Sequence, residues 1–217
     1  MRSPKISRLY LQISPTDSVL ADRTLPAQQA DSVVVDNVSG AYEAVIHLLE
    51  GGYKHVACIT GPLTTTTGYQ RQVGYCKALK EAGVAPDDSL VREADFRQLG
   101  GQLAMQELLD QVERPEAVFV TNLLMTIGVL QAIAEAKLTI PADIAVVSFD
   151  DMPWSSLLQP SLTAVAQPAY DLGVETARLL LSRLEGYKGA ARMVTLSPSL
   201  QVRESSSPKS RVAVRHR

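Results

Sequence analysis

Cysteine is nearly missing from this 217-residue chain: Cys58 and Cys76 stand alone, and neither has a CxxC neighbour. That is too little for a disulfide framework or a thiolate metal site, and Cys58, inside an apolar run, reads as a small core residue. Histidine is almost as scarce. His47, His55 and His216 lack ligand spacing to one another or to a cysteine, which argues against zinc. No apolar run approaches the roughly 20 residues of a membrane helix. The opening "MRSPKISRLYLQIS" has neither a continuous apolar core nor a small-residue cleavage site, so no export signal is expected and the cytoplasm is the default location. Neither sign of charge dominates. With 21 basic and 23 acidic residues and a net charge of −2, the chain has no general attraction for nucleic acid. The phosphate-cradling patterns GxGxxG before a helix and GxxxxGK[ST] are absent, as is the GxSxG elbow of a serine hydrolase.

What is present is alternation. The composition, 46% apolar and 20% charged, is that of a globular protein. From residue 31 onward short buried-strand runs alternate with amphipathic helices: "DSVVVDN", "GAYEAVIHLLEGG", "KHVACITG", "GYQRQVGYCKALKEAG", "SLVREAD", "LGGQLAMQELLDQ", "EAVFVTN", "LLMTIGVLQAIAEAK", "DIAVVSFDD", "LTAVAQP", "YDLGVETARLLLSRLEG" and a final extended "RMVTLSPSLQVRE". Near-continuous apolar strands between such helices predict an α/β protein with parallel sheets covered on both faces and right-handed crossovers.

In such sheets ligands bind beyond the carboxyl ends of the strands, where loops converge and helix N-termini point inward. Those positions carry Gly61-Pro62, Asp95-Phe96, Asn122 and Asp150-Asp151, with Asp22 added if "SVLA" is a strand. Two adjacent carboxylates at the end of "AVVSF" could ligate magnesium for a phosphorylated substrate, but no convergent lysine accompanies them. Asp151 reads as a turn or helix cap before "MPWSSL". Carboxylates, an amide, a guanidinium and an aromatic face together suit a neutral polyol. The first accept hydroxyl hydrogens, the amide donates and accepts, and the ring packs on C–H groups. No activated nucleophile is visible, so binding without turnover is expected.

The ordered series "DSVVVDNVSGAYEAVIHLLEGGYKHVACITGP", "RQVGYCKALKEAG", "AVFVTN…GVLQAI", "IPADIAVVSFDDMPWSSLLQPSLTAVAQP" and "LGVETARLLLSRLEG" resembles the ligand-binding region of the LacI/GalR family of bacterial transcriptional regulators. The match runs from about Asp17 to Glu204, and "HVACITGPL" and "LTAVAQP" look most like ribose-type regulators. The resemblance implies a periplasmic-binding-protein-like fold of type I with two subdomains. Residues 1–16 are unassigned, 17–39 are a remnant of the N-terminal subdomain and 40–163 form the C-terminal subdomain. Residues 164–188 return to the first, 189–204 cross back, and 205–217 are a basic flexible tail.

It also implies which side chains meet the effector: Asp22, Arg71, the stacking aromatic Phe96, Asn122 and Asp150, with Asp151 shaping the turn. No cofactor, metal or membrane is implied, and a homodimer is expected. The family's helix-turn-helix headpiece and opening β-α-β-α-β portion have no counterpart in this sequence, so operator DNA would be reached only through a headpiece not found here. Leu123 stands where the family usually has Asp. The implied function is an effector-binding domain that controls operator affinity in the full-length protein. A sugar receptor for transport, a metal-using enzyme and a truncated remnant are the alternatives.

Overall fold

The computed structural model describes residues 18–24 and 30–208. The segment before Asp17 and the tail beyond 208 lie outside the described residues. The chain divides into two compact units. Unit 1 is residues up to Asp36 together with Pro168–Ser197, and unit 2 is Asn37–Gln167 together with the residues from Pro198. The chain therefore passes between them at 36/37, 167/168 and 197/198.

Unit 2 takes strands β3 (Val56–Thr60), β4 (Val91–Glu93), β5 (Ala117–Val120), β6 (Ala145–Phe149), β7 (Thr163–Ala166) and β9 (Ser199–Gln201), in the order β4-β3-β5-β6-β7-β9. All neighbours are parallel except β7–β9. Its helices are α1 (Asn37–Glu50), α2 (Thr66–Glu81), α3 (Gln98–Leu109) and α4 (Leu123–Glu135). β3, β5 and β6 are wholly buried, because alternate residues meet helices on opposite faces. Cys58, Phe119 and Val147 pack with Val45 and Leu48 of α1 and Tyr75 and Leu79 of α2. Ile59, Val118 and Val146 pack with Met105 and Leu108 of α3 and Val129 and Ile133 of α4. Burial also pushes the Cys58 thiol far up, which leaves it inert.

α3 and α4 touch backbone to backbone at Gly128, where an added Cβ would stand 1.9 Å from the Gln98 carbonyl oxygen. A backbone atom cannot swing aside as a flexible side chain can. Gly128→Ala is expected to destabilise unit 2 by about 2 kcal/mol. The urea midpoint would show it, and an unchanged midpoint would mean that the helices slide apart freely.

Unit 1 holds a three-stranded parallel sheet, β1 (Val19–Ala21), β2 (Asp31–Val35) and β8 (Met193–Leu196), in the order β1-β2-β8, with α5 (Ala169–Leu184) packed on it. β2 and β8 are paired from Ser32↔Met193 to Val35↔Leu196. Asp31, 0% exposed, opens β2 and takes forked bonds from Arg183 at 2.7 and 2.9 Å and from Arg192 at 2.6 and 3.2 Å. Burial alone would raise its pKa, but the two guanidinium groups outweigh that and hold it far below the ordinary carboxylate range.

The stretch "RMVTLSPSLQ", expected as one extended segment, is two strands in two sheets. Pro198 cannot donate to a ladder, and it packs where a Cβ on Gly40 would stand 2.9 Å from its Cγ. Residues 205–207, expected to begin a flexible tail, are instead held in place. Ser205 and Ser206 are buried, and Tyr53 donates to the Ser207 carbonyl at 2.6 Å. Thr163 Oγ1 donates to the Arg203 carbonyl at 3.0 Å and accepts from Arg203 N at 2.8 Å. Its 2.7 Å contact with Ser206 must then be a bond that Ser206 donates. Having spent its hydrogen, Ser206 Oγ accepts from His47 Nε2 at 2.7 Å.

Burial lowers the His47 pKa from its ordinary 6.5, with Glu50 opposing. Its folded value lies below the unfolded one, so the stability it contributes is present above pH 6.5 and is lost as pH falls through that value. The urea midpoint should drop between about pH 7 and 5, and His47→Gln should flatten that part of the profile. A slope unchanged in the variant would assign it to other groups.

Candidate functional site

The strand ends of unit 2 carry Phe96, Asn122 and Asp150, and α2 brings Arg71 beside Asp150. Asn122 follows β5 and caps α4, its Oδ1 accepting from Leu124 N at 2.9 Å and Met125 N at 3.2 Å. The helix start is thereby held without a carboxylate at 123. Oδ1 alone serves the cap, and Asn122 Nδ2 has no partner among the described residues. Thr121 connects the neighbours. Its carbonyl accepts from Arg71 Nη1 at 2.6 Å, and its hydroxyl accepts from Gly61 N at 3.2 Å.

Arg71, 3% exposed, is fixed on three sides. Nε donates to Asn37 Oδ1 at 2.8 Å, Nη1 to Thr121, and the guanidinium carbon stands 3.6 Å over the Phe149 ring. Asp150 follows β6. Its Oδ1 accepts from Gln167 Nε2, its Oδ2 accepts weakly from Leu123 N at 3.4 Å, and Arg71 Nη1 lies 3.9 Å from Oδ2. The Asp150 side chain keeps 21% of its surface open.

Phe96 lies directly on backbone. An added Cβ at Gly61 would stand 2.0 Å from the Phe96 ring, so only glycine leaves the ring its place.

Backbone strain marks the same positions. Four non-glycine residues among those described have left-handed φ: Asp22 at 60°, Phe96 at 62°, Lys137 at 58° and Asp150 at 80°. Lys137 ends α4, where its N–H bonds Ala134 O and such a conformation is ordinary. The other three come just after β1, β4 and β6. Each such residue costs on the order of 1–3 kcal/mol and persists where a site demands it. Asp22 stands in unit 1, its N–H donating to Val33 O at 2.9 Å, and is not among the residues gathered in unit 2.

Asp151 is not a cap. Both its oxygens take a fork from Arg203, at 2.8 Å each, so it pins the strand exit to the segment after β9. The adjacent acids thus have separate tasks, and among the described residues no three His, Cys, Asp or Glu side chains cluster as a metal site. Ser148 is enclosed and bonded to Thr126 at 2.8 Å, so it is no nucleophile. The arrangement offers a carboxylate acceptor, an amide donor, an enclosed cation and an aromatic ring, with no general base beside a nucleophile. Asn37, Thr121, Phe149 and Gln167 were not singled out from the sequence. Gln167 ends the β7 motif, and inspection of every strand end would have found it.

The strand ends are where open α/β domains bind small molecules. A family profile described as periplasmic binding protein-like domain matches residues 45–206. The chain belongs to that family, in the form found in LacI-family transcriptional regulators. It is 34% identical over 168 residues to the HTH-type transcriptional repressor CytR of Escherichia coli strain K12, covering 77% of this chain and 49% of that protein. With the regulator CelR of Thermobifida fusca the identity is 36% over 181 residues, covering 83% and 53%. The chain spans about half the length of these curated relatives. Among solved structures, the CelR–cellobiose complex superposes with a TM-score of 0.80 at 35% identity, covering 86% of this chain and 57% of that one. A LacI-type regulator from Bacillus cereus subsp. cytotoxis gives 0.84 at 27%, covering 94% and 73%. These relatives are regulators by name, not enzymes.

Proposed function

We propose that the chain is the effector-binding part of a cytoplasmic LacI-type transcriptional regulator, taking a small sugar or related metabolite. Asp150 accepts its hydroxyl hydrogens, Asn122 Nδ2 donates to it, Arg71 supplies the positive field, and the Phe96 ring carries its C–H face. The observation that carries this reading is the convergence of Arg71, Thr121 and Asp150 around Asn122, with Asp150 held on a left-handed backbone. In the whole protein the bound effector favours one arrangement over another, and operator affinity and dimer pairing follow.

The test is a thermal melt with a panel of pentoses, hexoses, cellobiose and purines at millimolar concentration. At 100 times its dissociation constant a ligand stabilises by about 2.7 kcal/mol. A selective rise in midpoint, reduced by half or more in Asp150→Ala, is expected. A panel without effect, or a rise undiminished in Asp150→Ala, would remove the site assignment.

A further inference from the structure

The polyol reading leaves one part of the site unused, the start of α2 and its run of four threonines, Thr64–Thr67. Thr65 is the N-cap. Its hydroxyl accepts from Gly68 N at 3.1 Å and donates to the Pro62 carbonyl at 2.7 Å, and its carbonyl accepts from Tyr69 N at 3.1 Å. The cap thus leaves the first two helical N–H groups, those of Thr66 and Thr67, without a bond to any described residue. Thr67 is only 5% exposed, yet its hydroxyl too has no hydrogen-bond partner among the described residues. A buried hydroxyl is ordinarily paired, so this one is a donor held ready for an acceptor from outside the chain. Helical side chains lean toward the N-terminus, which aims the Thr67 hydroxyl along the two open N–H groups. Arg71 follows Thr67 by one turn on the same face of α2, with about 6 Å between their Cβ atoms. One small molecule can therefore reach both the three donors and the Arg71–Asp150 pair.

The field at this place favours an anion. α2 has no acid in its first turn, and its macrodipole leaves roughly half a positive charge at the N-terminus. Of the carboxylates nearby, Asp150 is opposed by Arg71 at 3.9 Å, and exposed Glu93 is engaged with Leu63 N at 3.3 Å. Two backbone N–H groups and a hydroxyl at a helix N-terminus suit an oxyanion, and the three acceptor oxygens of a phosphate ester can take all of them. We propose that the effector is a sugar monophosphate, its phosphate received by Thr66 N, Thr67 N and the Thr67 hydroxyl while Asp150 and Asn122 hold its sugar hydroxyls. The proposal rests on the reading of Asp150 and Asn122 as the residues that meet those hydroxyls.

Calorimetric titration of the whole chain compares the monophosphate esters of glucose, fructose and ribose with the free sugars and with inorganic phosphate. At least one ester should bind about tenfold or more tightly than its own free sugar. Its affinity should rise between about pH 5 and 7, as the second phosphate proton is lost near about pH 6, and the free sugar should show no such rise. Thr66→Pro removes the first N–H without unmaking the helix. Proline suits the first helical position, and Thr65, at φ −97° and ψ 145°, is already extended as a residue before proline must be. Thr66→Pro and Thr67→Val should each lower the preference for ester over sugar about tenfold, with the ligand-free melting midpoint of Thr66→Pro no lower than the parent's. An ester that binds no better than its free sugar, or a preference that survives both substitutions, would overturn the proposal and leave the hydroxyl site standing. Inorganic phosphate binding as tightly as the esters would reduce it to an adventitious anion site. Binding of neither sugar nor ester would count against the reading of Asp150 and Asn122, and the proposal would fall with it.

Discussion

Asp31→Asn is expected to cost unit 1 about 3 kcal/mol, because it removes one carboxylate from between two guanidinium groups while keeping its volume. Arg183 is only 4% exposed at its side chain and cannot reach water for compensation. Arg192, at 27%, recovers part of its hydration, which keeps the estimate at the low end of the range for a broken buried pair. Both cations also pack on the Tyr187 ring, at 4.8 and 4.0 Å, so repulsion between them loosens the end of α5 as well. Hydrogen exchange should show β2, β8 and α5 opening first, while β3, β5 and β6 keep their protection. The pH dependence has a definite sign. The folded-state pKa of Asp31 lies far below its ordinary 3.8, so the stability it contributes is present above pH 3.8 and is lost as pH falls below that value. A variant melting within a degree of the parent would show that the triad contributes nothing net.

The second large effect separates binding from stability at one residue. Asp150→Ala and Asp150→Gly both delete the carboxylate and should weaken an effector identified by the panel by roughly 10- to 100-fold, the worth of a hydrogen bond to a charged group. Their stabilities should differ. At φ 80° alanine keeps the Cβ penalty and glycine has none. The glycine variant should be the more stable of the two by about 1 kcal/mol. Equal stabilities would show that the left-handed backbone at 150 is not strained.

Much of this was readable in the sequence where burial on both faces imposes a continuous apolar run, as in "VACIT", "AVFV" and "AVVSF", and where a strand end exposes one polar residue such as Asn122 or Asp150. Arg71 was not readable in that way. It lies on a helix in an ordinary amphipathic pattern and was reached only through the family resemblance. The cap expected of Asp151 is an ion pair instead, because its partner, Arg203, is 52 residues away and leaves no local signature. Gln167 and Asn37 carry little signal in the sequence, since an uncharged amide next to a proline or at a helix start is common. Residues 205 and 206 belong to the fold for the same kind of reason. Serines 205 and 206 look like linker residues until Thr163, Val146 and His47 are placed beside them.

The pairing of Ser32 with Met193 has a consequence for biosynthesis. The partners are separated by 193 − 32 = 161 residues, so at roughly 5–20 residues per second the ribosome needs about 8–30 s to supply β8 after β2 has been made. Through that interval the "VVV" of β2 has no strand to its β8 side, whereas Asn37–Gln167 can complete five of its six strands as they emerge. Slow translation should therefore favour the later unit and leave the earlier one waiting, in a nascent chain where β2 has β1 beside it early and gains β8 among the last pairings. Its yield in cells would depend more on chaperone supply during synthesis than on the stability of the finished fold.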